Sequence, residues 1–331
     1  MWLLICAATV FFMVVVGGIT RLTQSGLSMV QWEPLMGILP PVSVAEWEHV
    51  FGLYRNSPEY LKVNYGMSLA EFKGIFWWEY GHRVLGRLIG MMYLLPLLYF
   101  TLRGWVPSHW RLRLWSLFLL GGLQGLMGWY MVKSGLVDVP RVSQYRLTAH
   151  LGLAFIIFAL MWWFAMSFLR GDSRNTQSSS SFRRFTGIAL IVVFVMILSG
   201  GFVAGTKAGF IINTFPTMNG EWVPTGWLAM SPWWLNLFEN AVTIQFVHRM
   251  FALVVIGTLV ALWWRSRSED YACGSNWMLL ALTLQVALGI SALLMKVPVS
   301  LGAAHQGGAV VLLASVLWVA HRARFSPQPS S

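Results

Sequence analysis

Charge is what this chain has least of. Of its 331 residues, 11% are Asp, Glu, Lys or Arg and 57% are apolar. Soluble domains carry about 25% charged residues. A chain this poor in charge cannot coat a globular surface, which excludes a soluble protein, and its apolar richness excludes a disordered one. Cysteine is almost absent too. Cys6 and Cys273 are the only two, which excludes a disulfide framework and any CxxC metal site. A net charge of +11 without a basic run or a soluble basic domain excludes a nucleic-acid partner. What remains is an integral membrane protein whose Lys and Arg gather in cytoplasmic loops.

A spanning helix needs about 20 mostly apolar residues. The sequence predicts eight, near 2–20, 82–102, 113–133, 147–169, 185–205, 243–264, 276–295 and 302–321. The first lacks a basic n-region and has too long an apolar run for a cleaved signal. Segments 103–113, 170–184, 265–275 and 322–331 contain Arg103, Arg111, Arg113, Arg170, Arg174, Arg183, Arg184, Arg265, Arg267, Arg322 and Arg324, with only Asp172, Glu269 and Asp270 as acids. By the positive-inside rule these segments are cytoplasmic. Both termini are then inside, and the long segments 21–81 and 206–242 face outside. The low-complexity run at 172–181 reads as a polar linker. The expected organisation is an N-terminal four-helix bundle over 1–171, a cytoplasmic linker at 172–184, a C-terminal four-helix bundle over 185–321, and a cytoplasmic tail at 322–331.

The two halves echo one another in order. Gly17-Gly18-Ile19 with Gly26 matches Gly200-Gly201-Phe202 with Gly209. His82-Arg83 matches His248-Arg249, Leu123-Gln124 with Gly128 matches Leu284-Gln285 with Gly289, and Ala149-His150 matches Ala304-His305. This predicts a duplicated four-helix unit. Because each unit has an even number of spans, the copies share one orientation and are related by a pseudo-symmetry axis along the membrane normal.

Four of the seven histidines, His82, His150, His248 and His305, fall on this repeat at the outer ends of the even-numbered spans. An ionisable group in a span is costly and marks a functional site. One such His is often a packing residue, but four at matched positions point to ligation. Two imidazoles on different helices suit a haem held between them. Zinc wants more ligands than each pair offers, and copper usually wants Cys or Met at fixed spacing. Gly81, Gly86 and Gly90 flank His82, and Gly302, Gly307 and Gly308 flank His305, leaving room for a close approach. Arg83, Arg87, Arg146, Lys207 and Arg249 lie at the same boundary. Each is a candidate for haem propionates or for snorkelling to lipid headgroups. His49, His109 and His321 have no repeat partner and read as solvated or interfacial.

The halves differ at one position. Glu79 stands three residues before His82, and Gln245 stands three before His248. A spacing of three puts both side chains on one helix face. Glu79 reads either as a carboxylate acting beside the site or as an acid favoured by a helix N-terminus.

The segments 17–41 (GGITRLTQSGLSMVQWEPLMGILPP), 79–90 (EYGHRVLGRLIG), 147–155 (LTAHLGLAF), 245–250 (QFVHRM) and 301–310 (LGAAHQGGAV) together resemble the haem A synthases of mitochondria and many Gram-negative bacteria. The resemblance implies an eight-helix inner-membrane enzyme that oxidises the C8 methyl of haem O to a formyl group by successive hydroxylations, giving haem A for cytochrome c oxidase. It implies haem B on His248 and His305, substrate haem O on His82 and His150, both toward the periplasmic side, and a catalytic Glu79. Free haem is insoluble and reactive, so haem O synthase is an expected partner, along with an electron-transfer protein, membrane lipid and a second copy of the chain. A Gram-positive branch carries a cysteine pair in the first outer loop, whereas residues 21–81 here contain none. The histidine pattern by itself also suits a dihaem electron-transfer cytochrome or a haem chaperone or transporter. The spans carry no buried acidic relay of the kind a proton-coupled transporter needs.

Overall fold

The computed structural model describes residues 1–31, 39–136, 140–170, 178–267 and 272–325. Asp172, Arg174, Glu269, Asp270 and Trp32, residues 172–177 of the linker and the tail beyond Phe325 lie outside the described residues.

The described chain is all-helical. Its long helices are α1 (Trp2–Leu22), α4 (Leu69–Leu102), α5 (Ser108–Gly135), α6 (Gln144–Arg170), α7 (Ser180–Gly205), α9 (Ala241–Ser266), α10 (Ala272–Leu294) and α11 (Val299–Arg324). Three short ones, α2 (Val44–Arg55), α3 (Pro58–Lys62) and α8 (Asn236–Glu239), lie between them. Seven of the long helices are apolar enough to cross a membrane, which makes this an all-α membrane protein. The exception is α5. It is long enough, but Gly121, Gly122, Gln124, Gly125 and Gly128 dilute its apolar content.

Helices α1, α4, α5 and α6 touch in a ring, and α7, α9, α10 and α11 form another. The rings meet where α1 packs on α11, α6 on α7, and α6 on α11. The core runs through both, and its spacing is helical: Leu3, Cys6, Ala7, Val10 and Val14 fill one face of α1. Gly18 and Gly302 bring α1 close to α11: a Cβ on Gly18 would lie 2.8 Å from Gln306 Oε1, and one on Gly302 would lie 2.7 Å from Leu22. Gly201 and Gly205 do the same for α7 against Thr148 and Gln144 of α6, at 2.9 and 2.6 Å. In lipid, such close approach supplies contact where the hydrophobic effect does not.

Among its described residues, segment 21–81 is mostly helix rather than loop. Ser68 and Glu71 form a capping box that starts α4 thirteen residues before His82, and Ser43 with Glu46 starts α2 in the same way. Trp47, Phe51, Tyr54, Phe72 and Phe76 bury against one another in a small second core, with Met29, Val30 and Tyr80 packed on it. The N-terminal part of α4 is thus a wall of a small cap.

Candidate functional site

Each repeat histidine lies against a glycine of a neighbouring helix. A Cβ added to Gly17 on α1 would sit 3.2 Å from His82 Nε2 on α4, and one on Gly128 of α5 would sit 3.1 Å from His150 Cε1 on α6. In the second ring, Gly200 of α7 faces His248 Cε1 on α9 at 3.5 Å, and Gly289 of α10 faces His305 Cε1 on α11 at 2.8 Å. These are the glycines singled out by the sequence repeat. In each Gly-Gly pair the first residue seats an imidazole and the second faces the other ring.

The polar contacts repeat as well. Gln124 Nε2 donates to the His150 carbonyl at 3.0 Å, and Gln285 Nε2 donates to the His305 carbonyl at 3.0 Å. In both halves the same atoms are buried without a hydrogen-bond partner: His150 Nδ1 with Gln124 Oε1, and His305 Nδ1 with Gln285 Oε1. Such orphans are costly unless something completes them. His248 differs, because Ser199 Oγ lies 2.7 Å from its Nδ1.

One residue after the first histidine of each half stands an arginine that acts as a clamp. Arg83 Nη2 donates to Met29 O at 2.9 Å and Nη1 to Gln31 O at 3.4 Å. Arg249 Nη2 donates to Ile212 O and Nη1 to Thr214 O, both at 2.8 Å. By the Gly17–Gly200 match, Met29 corresponds to Ile212 and Gln31 to Thr214. Each arginine therefore pins the segment that follows the first helix of its half. Glu79 joins only the first clamp. Its Oε1 accepts from Arg83 Nε (3.1 Å) and Nη2 (2.5 Å), and its Oε2 from Ser28 Oγ (2.7 Å) and Met29 N (2.8 Å). Gln245 instead donates to Ile212 O at 2.9 Å.

The other cations sort differently. Arg146 donates to Ser134 and lies over the Tyr130 ring at 4.9 Å. Lys207 reaches Gln24 Oε1 at 3.3 Å, and Arg87 sits one turn beyond Arg83 on α4. His49 and His109 are exposed, on α2 and on the first turn of α5. His321 corrects its sequence reading: it is buried, with Ser167 Oγ at 3.0 Å and the Trp163 and Phe325 rings around it, because α11 is central and its C-terminal end packs on α6. Among the described residues, no three His, Cys, Asp or Glu gather as a metal site. In the cap, Glu59 is buried beside Tyr54. Burial first, and the nearby charge of Glu79 second, push its carboxyl up to about 7. Ser28 and Ser199 were not legible as site residues. Comparing the positions around each Gly-Gly pair and each His between the halves would have exposed them.

Residues 1–317 match the family model described as COX15-CtaA, cytochrome oxidase assembly protein. The chain is 51% identical to a protein of Nitrosospira multiformis named heme A synthase, over 98% of this chain and 92% of that one. Proteins of the same name from Nitrosomonas eutropha and Parvibaculum lavamentivorans are 48% and 47% identical, over 97% of this chain in each case and 92% and 93% of theirs.

Proposed function

The chain belongs to the COX15-CtaA family of cytochrome oxidase assembly proteins, and on that premise we propose how it works as an enzyme of haem A biosynthesis. Its function is haem A synthesis, with haem O as substrate. The reaction is oxidation of the C8 methyl of haem O to a formyl group.

In our reading the two rings are pseudo-symmetric four-helix bundles, N-terminal over 1–171 and C-terminal over 185–321, with α5 as the eighth span. Both termini are cytoplasmic, and the histidines lie toward the periplasmic side of the inner membrane. His82 and His150 hold the substrate, and His248 and His305 hold haem B. The observation that carries this is the fourfold glycine–imidazole pairing, two pairs per half at matched positions. The fit is supported by the matched orphan nitrogens of His150 and His305.

Haem B, when bound, supplies one-electron redox chemistry. The chain supplies the rest. Ser199 orients the His248 ring through Nδ1. Gln124 and Gln285 tie α5 and α10 to the backbone of the ligating residues. The four bonds to Glu79 fill the roughly four acceptor positions of a carboxylate. It acts as a fixed negative charge stabilising positive character at the reacting carbon, not as a base while those bonds hold. Arg83 and Arg249 serve the clamps, and Arg87, Arg146 and Lys207, cations that the sequence places at the same boundary, are the proposed propionate partners. Haem O synthase, an electron-transfer protein and a second copy of the chain are the proposed partners.

The test is a product assay. The chain is co-expressed with a haem O synthase in a host lacking haem A, and extracted haem is separated with mass detection. The formyl product is expected. Haem B and haem O alone, with electron donor supplied and a bis-histidine spectrum present, would favour the cytochrome or chaperone reading.

A further inference from the structure

The two clamps are alike in their arginines and unlike in their acid. The arginine bonds recur at matched carbonyls in both halves. Holding the outer segment therefore does not require a carboxylate, because the second half manages it with Gln245 and Arg249. The first half adds two things together. It has Glu79 where the second has Gln245, and Ser28 where the second has Ile211 by the Gly17–Gly200 match. Ser28 is buried at 1% exposure and donates to Glu79 Oε2, whereas Ile211 is 47% exposed. The hydroxyl occurs where the acid does and is missing where the acid is missing.

Ser28 is itself held in place. Its backbone N–H donates to Ser25 O at 3.3 Å, and Ser25, fully buried, lies 2.7 Å from Thr23 Oγ1. Met29, the next residue, gives its N–H to the same carboxylate oxygen and its carbonyl to Arg83. A carboxylate on the free rotamers of a glutamate is thereby fixed on both oxygens, from α4 on one side and from the segment after α1 on the other.

We propose that Ser28 is a positioning residue for haem A synthesis, fixing the carboxylate of Glu79 at the substrate half and having no counterpart in the cofactor half. This rests on the reading of Glu79 as the reaction's carboxylate.

The test compares Ser28→Ala, Ser28→Thr and Glu79→Ala in the full-length, haem-loaded protein. Ser28→Ala is expected to lower kcat for formyl product by about ten- to a hundredfold, the loss typical of a hydrogen bond to a charged group. KM for haem O, the bis-histidine absorption and the thermal midpoint should stay near wild type. Ser28→Thr, which keeps the hydroxyl, should restore most of kcat. The infrared carboxylate band assigned to Glu79 by difference against Glu79→Gln should shift in Ser28→Ala and not in Ser28→Thr. Wild-type kcat and an unshifted band in Ser28→Ala, with Glu79→Ala inactive, overturn the proposal alone. Normal turnover in Glu79→Ala overturns the reading beneath it. If Ser28→Ala fails to fold, Ser28→Thr still decides: a shifted band and lost turnover there contradict a role for the hydroxyl.

Discussion

A glycine beside an imidazole makes a graded prediction, because the four seats differ in tightness. Gly289 leaves 2.8 Å for a Cβ before His305 is met, and Gly200 leaves 3.5 Å before His248. Gly289→Ala must move the His305 ring at an overpacking cost of about 1–3 kcal/mol and, with His305 as the proposed ligand, should lower haem B occupancy in the purified protein. Gly200→Ala makes an ordinary contact and should keep occupancy near wild type. Haem-to-protein ratio from the absorption spectrum checks both. Glu79→Ala is expected to keep both haems and lose the formyl product, as haem extraction would show. The histidines were legible in the sequence because a costly residue type recurs at matched places. Ser28 and Ser199 were not, because serine is common and tolerated in helices and loops, and its meaning came only from the atom it touches.

At the scale of the element, the sequence placed most helices well and misjudged their ends. Hydropathy finds where apolar residues begin, but α4 begins at a capping box in polar sequence, and its first three turns bury Phe72 and Phe76 in the cap instead of in lipid. Helix α5 shows the converse. The glycines and glutamine that make it a poor span by composition include Gly128 and Gln124, which contact His150. The cap carries its own pH dependence. Glu59 has a carboxyl raised from 4.5 to about 7. The folded cap therefore holds more protons than the unfolded chain between those values. Its stability falls as pH rises through that window and stays low above it. Hydrogen exchange of the α2 and α3 amides should quicken from pH 5 to pH 8 beyond the intrinsic rate, and Glu59→Gln should remove that excess. Farther in, a Cβ on Gly274 of α10 would lie 1.7 Å from the Trp318 ring of α11. Gly274→Ala should separate these helices and lower the thermal midpoint of the haem-loaded protein.

Across the whole molecule, the halves are joined by polar ties as well as by apolar packing. Arg21 of α1 donates to Ala204 O of α7 at 2.9 Å, and Gln144 and Tyr145 of α6 both donate to Glu239, at 2.7 and 2.6 Å. The echo between the halves was readable in the order of four motifs. How the two helix rings meet was not, since a helix–helix interface made by Gly18, Gly201 and Gly205 leaves no periodic apolar stripe in a chain that is apolar throughout. The central claim is a division of labour: one half holds a haem to keep, and the other holds a haem to change. The direct measurement is the identity of the haem retained by His82→Ala and by His248→Ala, purified from cells making haem O and analysed by extraction and mass. His82→Ala is expected to keep haem B but carry no haem O or haem A, and His248→Ala to lose haem B. The reverse assignment, or the same haems lost from both variants, would contradict that division of labour.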